Sequence, residues 1–142
     1  MKLSELAAKK AEVDAMMKEH GKAAIVTELS AFFDKHPSIG IAWRQYTPYF
    51  NDGDACTFSL HGVEVIPPGD EHEWYEHEVY SLKRRSESTD CPPWLTPELA
   101  KDASELESLL NHNEDALLMA FGDHVEVIAR KDGVAVDECS HD

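Results

Sequence analysis

The densest run of side chains able to do chemistry is Glu71-His72-Glu73-Trp74-Tyr75-Glu76-His77-Glu78. Imidazole and carboxylate groups are common ligands of divalent metals. The spacing, however, is not that of HExxH. Two histidines five residues apart do not share a helix face, and in a strand they point to opposite sides, so only mixed pairs such as His72 with Glu76 converge. The plainer reading is a solvated acidic surface, because runs of charge usually face water. Asn51-Asp52-Gly53-Asp54 offers two carboxylates and an amide oxygen to Ca²⁺ or Mg²⁺, but it lacks the order of the EF-hand loop. Asn, Asp and Gly also build turns without a metal. Asp123-His124 and the terminal Ser140-His141-Asp142 set an acid beside an imidazole, as an oriented base would require. No nucleophile motif accompanies them, neither G-x-S-x-G nor a cysteine signature, so an oriented structural histidine and a chain end are the simpler readings. A divalent-metal module or metal-dependent enzyme would draw on Asp52, Asp54, Asp123 and His124, and requires the first hairpin loop to meet the junction that carries Asp123. Outside that alternative no cofactor is expected.

Trp43, Tyr46, Tyr49 and Phe50, with Arg44 and Gln45 among them, form the densest aromatic stretch. Trp43 and Phe50 read as core. Tyr46 and Tyr49 flank Pro48 and are the candidates for contact with a partner, since tyrosine combines apolar area with a polar tip. The seven glycines form no phosphate-binding loop.

The elements that must position these groups are legible from periodicity. Leu3, Leu6, Val13 and Met17 predict an amphipathic helix over 2–20, stopped at His20-Gly21. Ile25, Val26, Leu29, Phe32 and Phe33 predict a second helix ending at His36-Pro37, the two forming a helical hairpin. Ile39, Ile41 and Trp43 alternate as a strand, and Cys56, Phe58 and Leu60 predict a second strand across a long loop. Residues 67–93 read as a mobile acidic excursion, with an edge strand at about Trp74 to Leu82. Thr96-Pro97 opens a helix with Leu99, Ala103, Leu106 and Leu110 on one face, and a short helix follows from Asn113 to Gly122. Val125, Val127 and Ala129, then Lys131-Asp132-Gly133, then Val134 and Val136 predict a second hairpin. The fold class is α+β: one domain over 1–142, an antiparallel sheet of two hairpins with four or five strands, packed with about four helices.

Charge points to a partner. Of the net −15, residues 1–38 carry none, while residues 67–115 carry −9. Such a segment repels nucleic acid and anionic membranes and favours basic protein surfaces. The single basic cluster, Lys83-Arg84-Arg85, adjoins acidic sequence, so direct nucleic-acid binding is not expected. No apolar run is long enough to span a bilayer, and the N-terminus lacks the apolar centre of a signal peptide. Cys56, Cys91 and Cys139 are odd in number and widely spaced, which fits reduced thiols in a cytoplasm. Cys56 reads as a small buried apolar residue and the others as surface thiols.

The segments Trp43-Arg44-Gln45-Tyr46-Thr47-Pro48-Tyr49-Phe50-Asn51-Asp52-Gly53-Asp54 and Phe121-Gly122-Asp123-His124-Val125, with the terminal His141-Asp142, resemble a group of uncharacterised proteins from bacteria and their phages. The resemblance implies a bacterial or phage cytoplasmic setting and carries no residue roles. The sequence therefore leads to a small acidic cytoplasmic interaction or regulatory protein that binds a basic surface of another protein, with nucleic-acid mimicry or inhibition as a special case. The contact residues are expected among Glu71, Glu73, Glu76, Glu78, Asp102, Glu105, Glu107, Tyr46 and Tyr49. The alternatives are the metal module above and a subunit of a larger assembly.

Overall fold

The computed structural model describes residues 1–48 and 56–139. Four helices pack with one four-stranded antiparallel sheet, in strand order β2-β1-β3-β4, which is the expected α+β class. The four helices are not the four read from the sequence. α1 runs unbroken from Leu3 to Lys35, straight through His20-Gly21, where two helices were expected. An interior glycine costs a helix about 1 kcal/mol, too little to end one that tertiary contacts hold on its C-terminal side. Gly21 is buried against α4 (Glu114–Phe121), 3.6 Å separating the position of an added Cβ from that of Ala116. The missing helix is supplied by α2 (Val79–Ser86), in the segment expected to be an edge strand. There Val79 and Leu82, three residues apart, both enter the core, and strand-like pairing is confined to the single bridge of Glu64 with Glu78. The supposed excursion at 67–93 thus contributes to the core and lies against the sheet.

β1 (Gly40–Tyr46) is the central strand, between β2 (Ser59–Ile66) and β3 (Val125–Arg130). Its alternation separates two layers: Ile41, Trp43 and Gln45 face the helices, while Ala42, Arg44 and Tyr46 face the other side. Ala42 and Trp43 are both fully buried, so the strand is covered on both faces. Gly40 is required by close approach, since a Cβ there would stand 2.9 Å from Ile66 Cδ1. β2 begins three residues later than the expected start at Cys56, which is exposed, and its core residues are Leu60, Val63 and Val65. A bulge breaks the alternation: Trp43 pairs Val63 and Arg44 pairs His61, leaving Gly62 extra at φ +64.

α3 (Pro97–Asn111) packs on β2 and against α2, and its Thr96 cap is formed as expected, Oγ1 accepting from the Leu99 amide at 3.0 Å. One acid of α3, one of α4 and the chain before α2 close the exposed edge of β2. Glu107 Oε2 accepts the Val63 amide at 3.1 Å, Glu114 Oε2 accepts the Leu60 amide at 2.6 Å, and the Val65 amide donates to the His77 carbonyl at 3.0 Å. These contacts block further strand pairing there. Among the described residues β4 (Gly133–Glu138) pairs only with β3, and it is exposed throughout. Among the described residues no helix is long and apolar enough to cross a membrane.

Candidate interaction site

The outer face of the sheet is overlaid by the acidic run that the sequence singled out. Five contacts fasten it. Arg130 Nη2 donates to the Asp70 carbonyl at 3.4 Å. The Arg44 guanidinium lies 4.1 Å from the Trp74 ring centroid and donates from Nη1 to Tyr75 Oη at 3.3 Å. Both Glu64 oxygens accept the Tyr75 amide, at 3.0 and 3.1 Å. The Glu64–Glu78 bridge secures the far end.

Tyr75 has φ +68, a left-handed conformation that costs a non-glycine residue about 1–2 kcal/mol. That residue resets the alternation. An uninterrupted strand would put His72 and His77 on opposite sides, whereas here both turn inward, their side chains 7% and 15% exposed. His72 packs edge-on to Trp74 at 4.2 Å and His77 edge-on to Trp94 at 5.2 Å. Glu71, Glu73 and Glu76 turn outward and are exposed, together with the rings of Tyr75 and Tyr80. The result is an acidic, aromatic ledge over residues 71–80, built on a buried polar base.

The base is electrostatically tense. Burial pushes the Glu64 carboxyl above its ordinary pKa, only partly countered by the Tyr75 amide, and neighbouring Glu78 pushes it further. Burial holds the His72 imidazole below its ordinary pKa, with the Arg44 and Arg130 cations acting in the same direction. His72 Nε2 stands 3.9 Å from Glu64 Oε1, beyond hydrogen-bond distance. His77 is likewise lowered, mainly by burial and also by Arg85, against an opposing pull from Glu76.

The remaining expected contact acids divide by location. Asp102 accepts from or pairs with His36 Nε2 at 2.8 Å and lies 3.9 Å from Lys35 Nζ, on the helix side of the sheet. Glu105 is exposed close to Asp102, where α3 runs beside α1. Glu107 is committed to the Val63 amide, and burial raises its pKa. Glu78 is half-buried at the start of α2. Only Glu71, Glu73 and Glu76 therefore stand together as open carboxylates on the ledge. Tyr46 stacks on His61, rings 3.7 Å apart and nearly parallel, and burial raises its hydroxyl pKa.

For the alternative metal reading, Asp52 and Asp54 lie outside the described residues, as do Tyr49 and Phe50. Asp123 and His124 do stand at the junction before β3. Asp123 accepts the Thr47 amide at 2.8 Å, the Thr47 hydroxyl at 2.7 Å and the His124 amide at 2.9 Å. Burial would raise its pKa, but these hydrogen bonds outweigh it and hold the carboxyl below the ordinary range. Both carboxylate oxygens thus already tie β1 to the junction. Among the described residues no three His, Cys, Asp or Glu side chains come together as a cation cage.

Sequence reasoning gave no role to Arg44, which it noted only among the aromatics, or to Glu64 and Arg130; the three lie on three separate strands. The one available clue was a lone glutamate inside the apolar run Val63-Glu64-Val65-Ile66. Compared with known proteins, the chain matches no family model, no curated protein and no solved structure.

Proposed function

We propose that the protein is a bacterial or phage cytoplasmic interaction module, whose 71–80 ledge binds a basic surface of another protein. The observation that carries this reading is the strained Tyr75, gripped through its amide by a buried carboxylate so that an aromatic ring and three acids face solvent. Backbone strain persists only where the surroundings enforce it, and it concentrates at sites of function. Tyr75 and Tyr80 supply contact area and cation–π partners for Lys or Arg, while Glu71, Glu73 and Glu76 supply complementary charge. The overall −15 favours the same class of partner.

The test compares the wild-type protein with Glu71→Gln/Glu73→Gln/Glu76→Gln as baits in bacterial lysate at low and moderate salt, with mass spectrometry of what is retained. Basic proteins held by the wild type and released by salt should be lost from the triple variant. Retention of the same proteins, with the same salt dependence, would remove the ledge from the interface. Adding duplex DNA to the wild-type bait separates nucleic-acid mimicry from simple adaptor binding, because a mimic's partner is displaced by DNA.

A further inference from the structure

The two edges of the sheet are finished differently. On β2 the Val63, Leu60 and Val65 amides are taken by Glu107, Glu114 and the His77 carbonyl, whereas among the described residues no strand pairs the outer edge of β4. The register fixes what that edge offers. The Cys139 amide donates to the His124 carbonyl at 2.9 Å, and hydrogen-bonded pairs recur at every second residue of an antiparallel ladder. Gly133, Ala135 and Asp137 therefore bond inward to β3, while the amides and carbonyls of Val134, Val136 and Glu138 point outward. Residues 133–138 hold no lysine, proline or bulge, the usual guards of an open edge. Val134 and Val136, paired with Ala129 and Val127, lie on the helix side of the sheet, yet they are 37% and 41% exposed, so the helical layer stops short of them. Asp137, paired with Glu126, lies on the outer side.

We infer that β4 is extended by a strand of another protein, an extended segment that alternates apolar residues with Lys or Arg and runs antiparallel to β4. Backbone groups supply the attachment, and side chains select the occupant. On the outer face Arg44, Glu126 and Asp137 stand in one row across β1, β3 and β4, with Arg44 Nε 3.9 Å from Glu126 Oε2. That row holds one cation and two carboxylates, so the next strand position, roughly 5 Å beyond Asp137, favours a cation. On the other face the added strand sets apolar residues against Val134 and Val136 and takes their exposed surface out of water. Successive residues of a strand alternate faces, which gives the alternating apolar and basic pattern. A second copy does not fit this edge. It would bring the same carboxylates on another body of net −15, with no cation in 133–138 to face them. The ledge is fastened to β1, β2 and β3, so the edge of β4 is a separate surface.

The probe is a short peptide of alternating valine and lysine, titrated into the full chain by calorimetry and located by amide hydrogen exchange. It should bind saturably below about 1 mM and slow exchange at the Val134, Val136 and Glu138 amides. The same peptide N-methylated at its valines keeps every charge but loses the donors that face β4, and should bind at least about 10-fold more weakly. Glutamate in place of lysine should weaken binding by a similar factor. Val136→Pro removes an amide that bonds nothing within the sheet, so the fold should tolerate it, which circular dichroism checks, and the parent peptide should again lose about 10-fold. Glu71→Gln/Glu73→Gln/Glu76→Gln should bind the peptide as the wild type does. Absence of binding up to about 1 mM, equal binding of the N-methylated peptide, or protection on the ledge in place of β4 overturns the inference. Sedimentation of the wild type alone that shows self-association, abolished by Val136→Pro, overturns it in favour of a second copy. Failure of the lysate test on the ledge leaves these outcomes unaffected.

Discussion

Replacing Glu64 separates two things its carboxylate does: accepting the Tyr75 amide and carrying charge in a buried place. Glu64→Ala removes both. The amide loses its acceptor, which costs about 1–3 kcal/mol when fully enclosed and falls in the lower half here because the contact is part-buried. One buried methylene adds about 0.8 kcal/mol. Two gains offset these losses: the desolvated charge disappears, and Tyr75 is free to leave its left-handed conformation, worth about 1 kcal/mol. The net expectation is a destabilisation of about 0.5–1.5 kcal/mol. Glu64→Gln keeps an oxygen for the amide and sheds the charge, so it should cost less than alanine by about 1 kcal/mol. Urea unfolding followed by tryptophan fluorescence reads both, Trp74 reporting on the ledge and Trp43 on the core. Glutamine as costly as alanine would mean that charge holds the ledge. An alanine variant indistinguishable from wild type would mean that the carboxylate does not hold Tyr75 at all.

Gly21→Ala should stabilise the protein by about 0.5–1 kcal/mol in the same assay, since the added Cβ meets Ala116 at an ordinary contact distance and a helix-interior glycine is removed. A loss would show that α4 needs the closer approach. The folded protein holds His72 and His77 below the ordinary histidine pKa of 6.5, so the unfolded chain binds protons more readily. Their contribution is complete above about pH 6.5 and is lost as the pH falls through it, at up to about 1.4 kcal/mol per pH unit for each histidine. Glu64, with its raised pKa, works in the opposite sense, favouring the folded state as acidity rises toward its own titration. His72→Gln should flatten the stability profile between pH 5 and 6.5. An unchanged slope would place the acid sensitivity elsewhere.

What could be read from the sequence was what local chemistry decides. Thr96-Pro97 capped α3, Asn113 to Gly122 bounded α4, and alternating valines with Asp132-Gly133 made the β3–β4 hairpin. The misreadings share a cause, which is tertiary contact overriding a weak local signal. At Gly21 the local signal to stop was about 1 kcal/mol against packing along α4. At 74–82 the aromatic and acidic residues read as a strand, yet burial of Val79 and Leu82 required one helical turn between them. The site divided in the same way. Its outward acids were visible as a run of glutamates, whereas their anchors, Arg44, Glu64 and Arg130, become neighbours only once three strands pair.

The central strand shows how the two layers are kept independent. Gln45, fully buried, accepts from Trp43 Nε1 at 2.9 Å and donates from Nε2 to the Leu117 and Gly122 carbonyls at 2.9 and 2.8 Å. One of these carbonyls belongs to α4 and the other to its C-cap, Gly122. Gln45 thus fastens the helical layer to the sheet. Arg44, one residue earlier and pointing the opposite way, fastens the ledge through Trp74 and Tyr75. Neighbouring residues on a strand alternate faces, so one short stretch of β1 anchors core and ledge with separate side chains. The apolar helical layer carries the stability of the fold, which leaves the other face able to hold a strained tyrosine, a desolvated glutamate and a low-pKa histidine together. That division of labour suits the binding role proposed for the ledge: a rigid support whose stability does not depend on the contacts it would present.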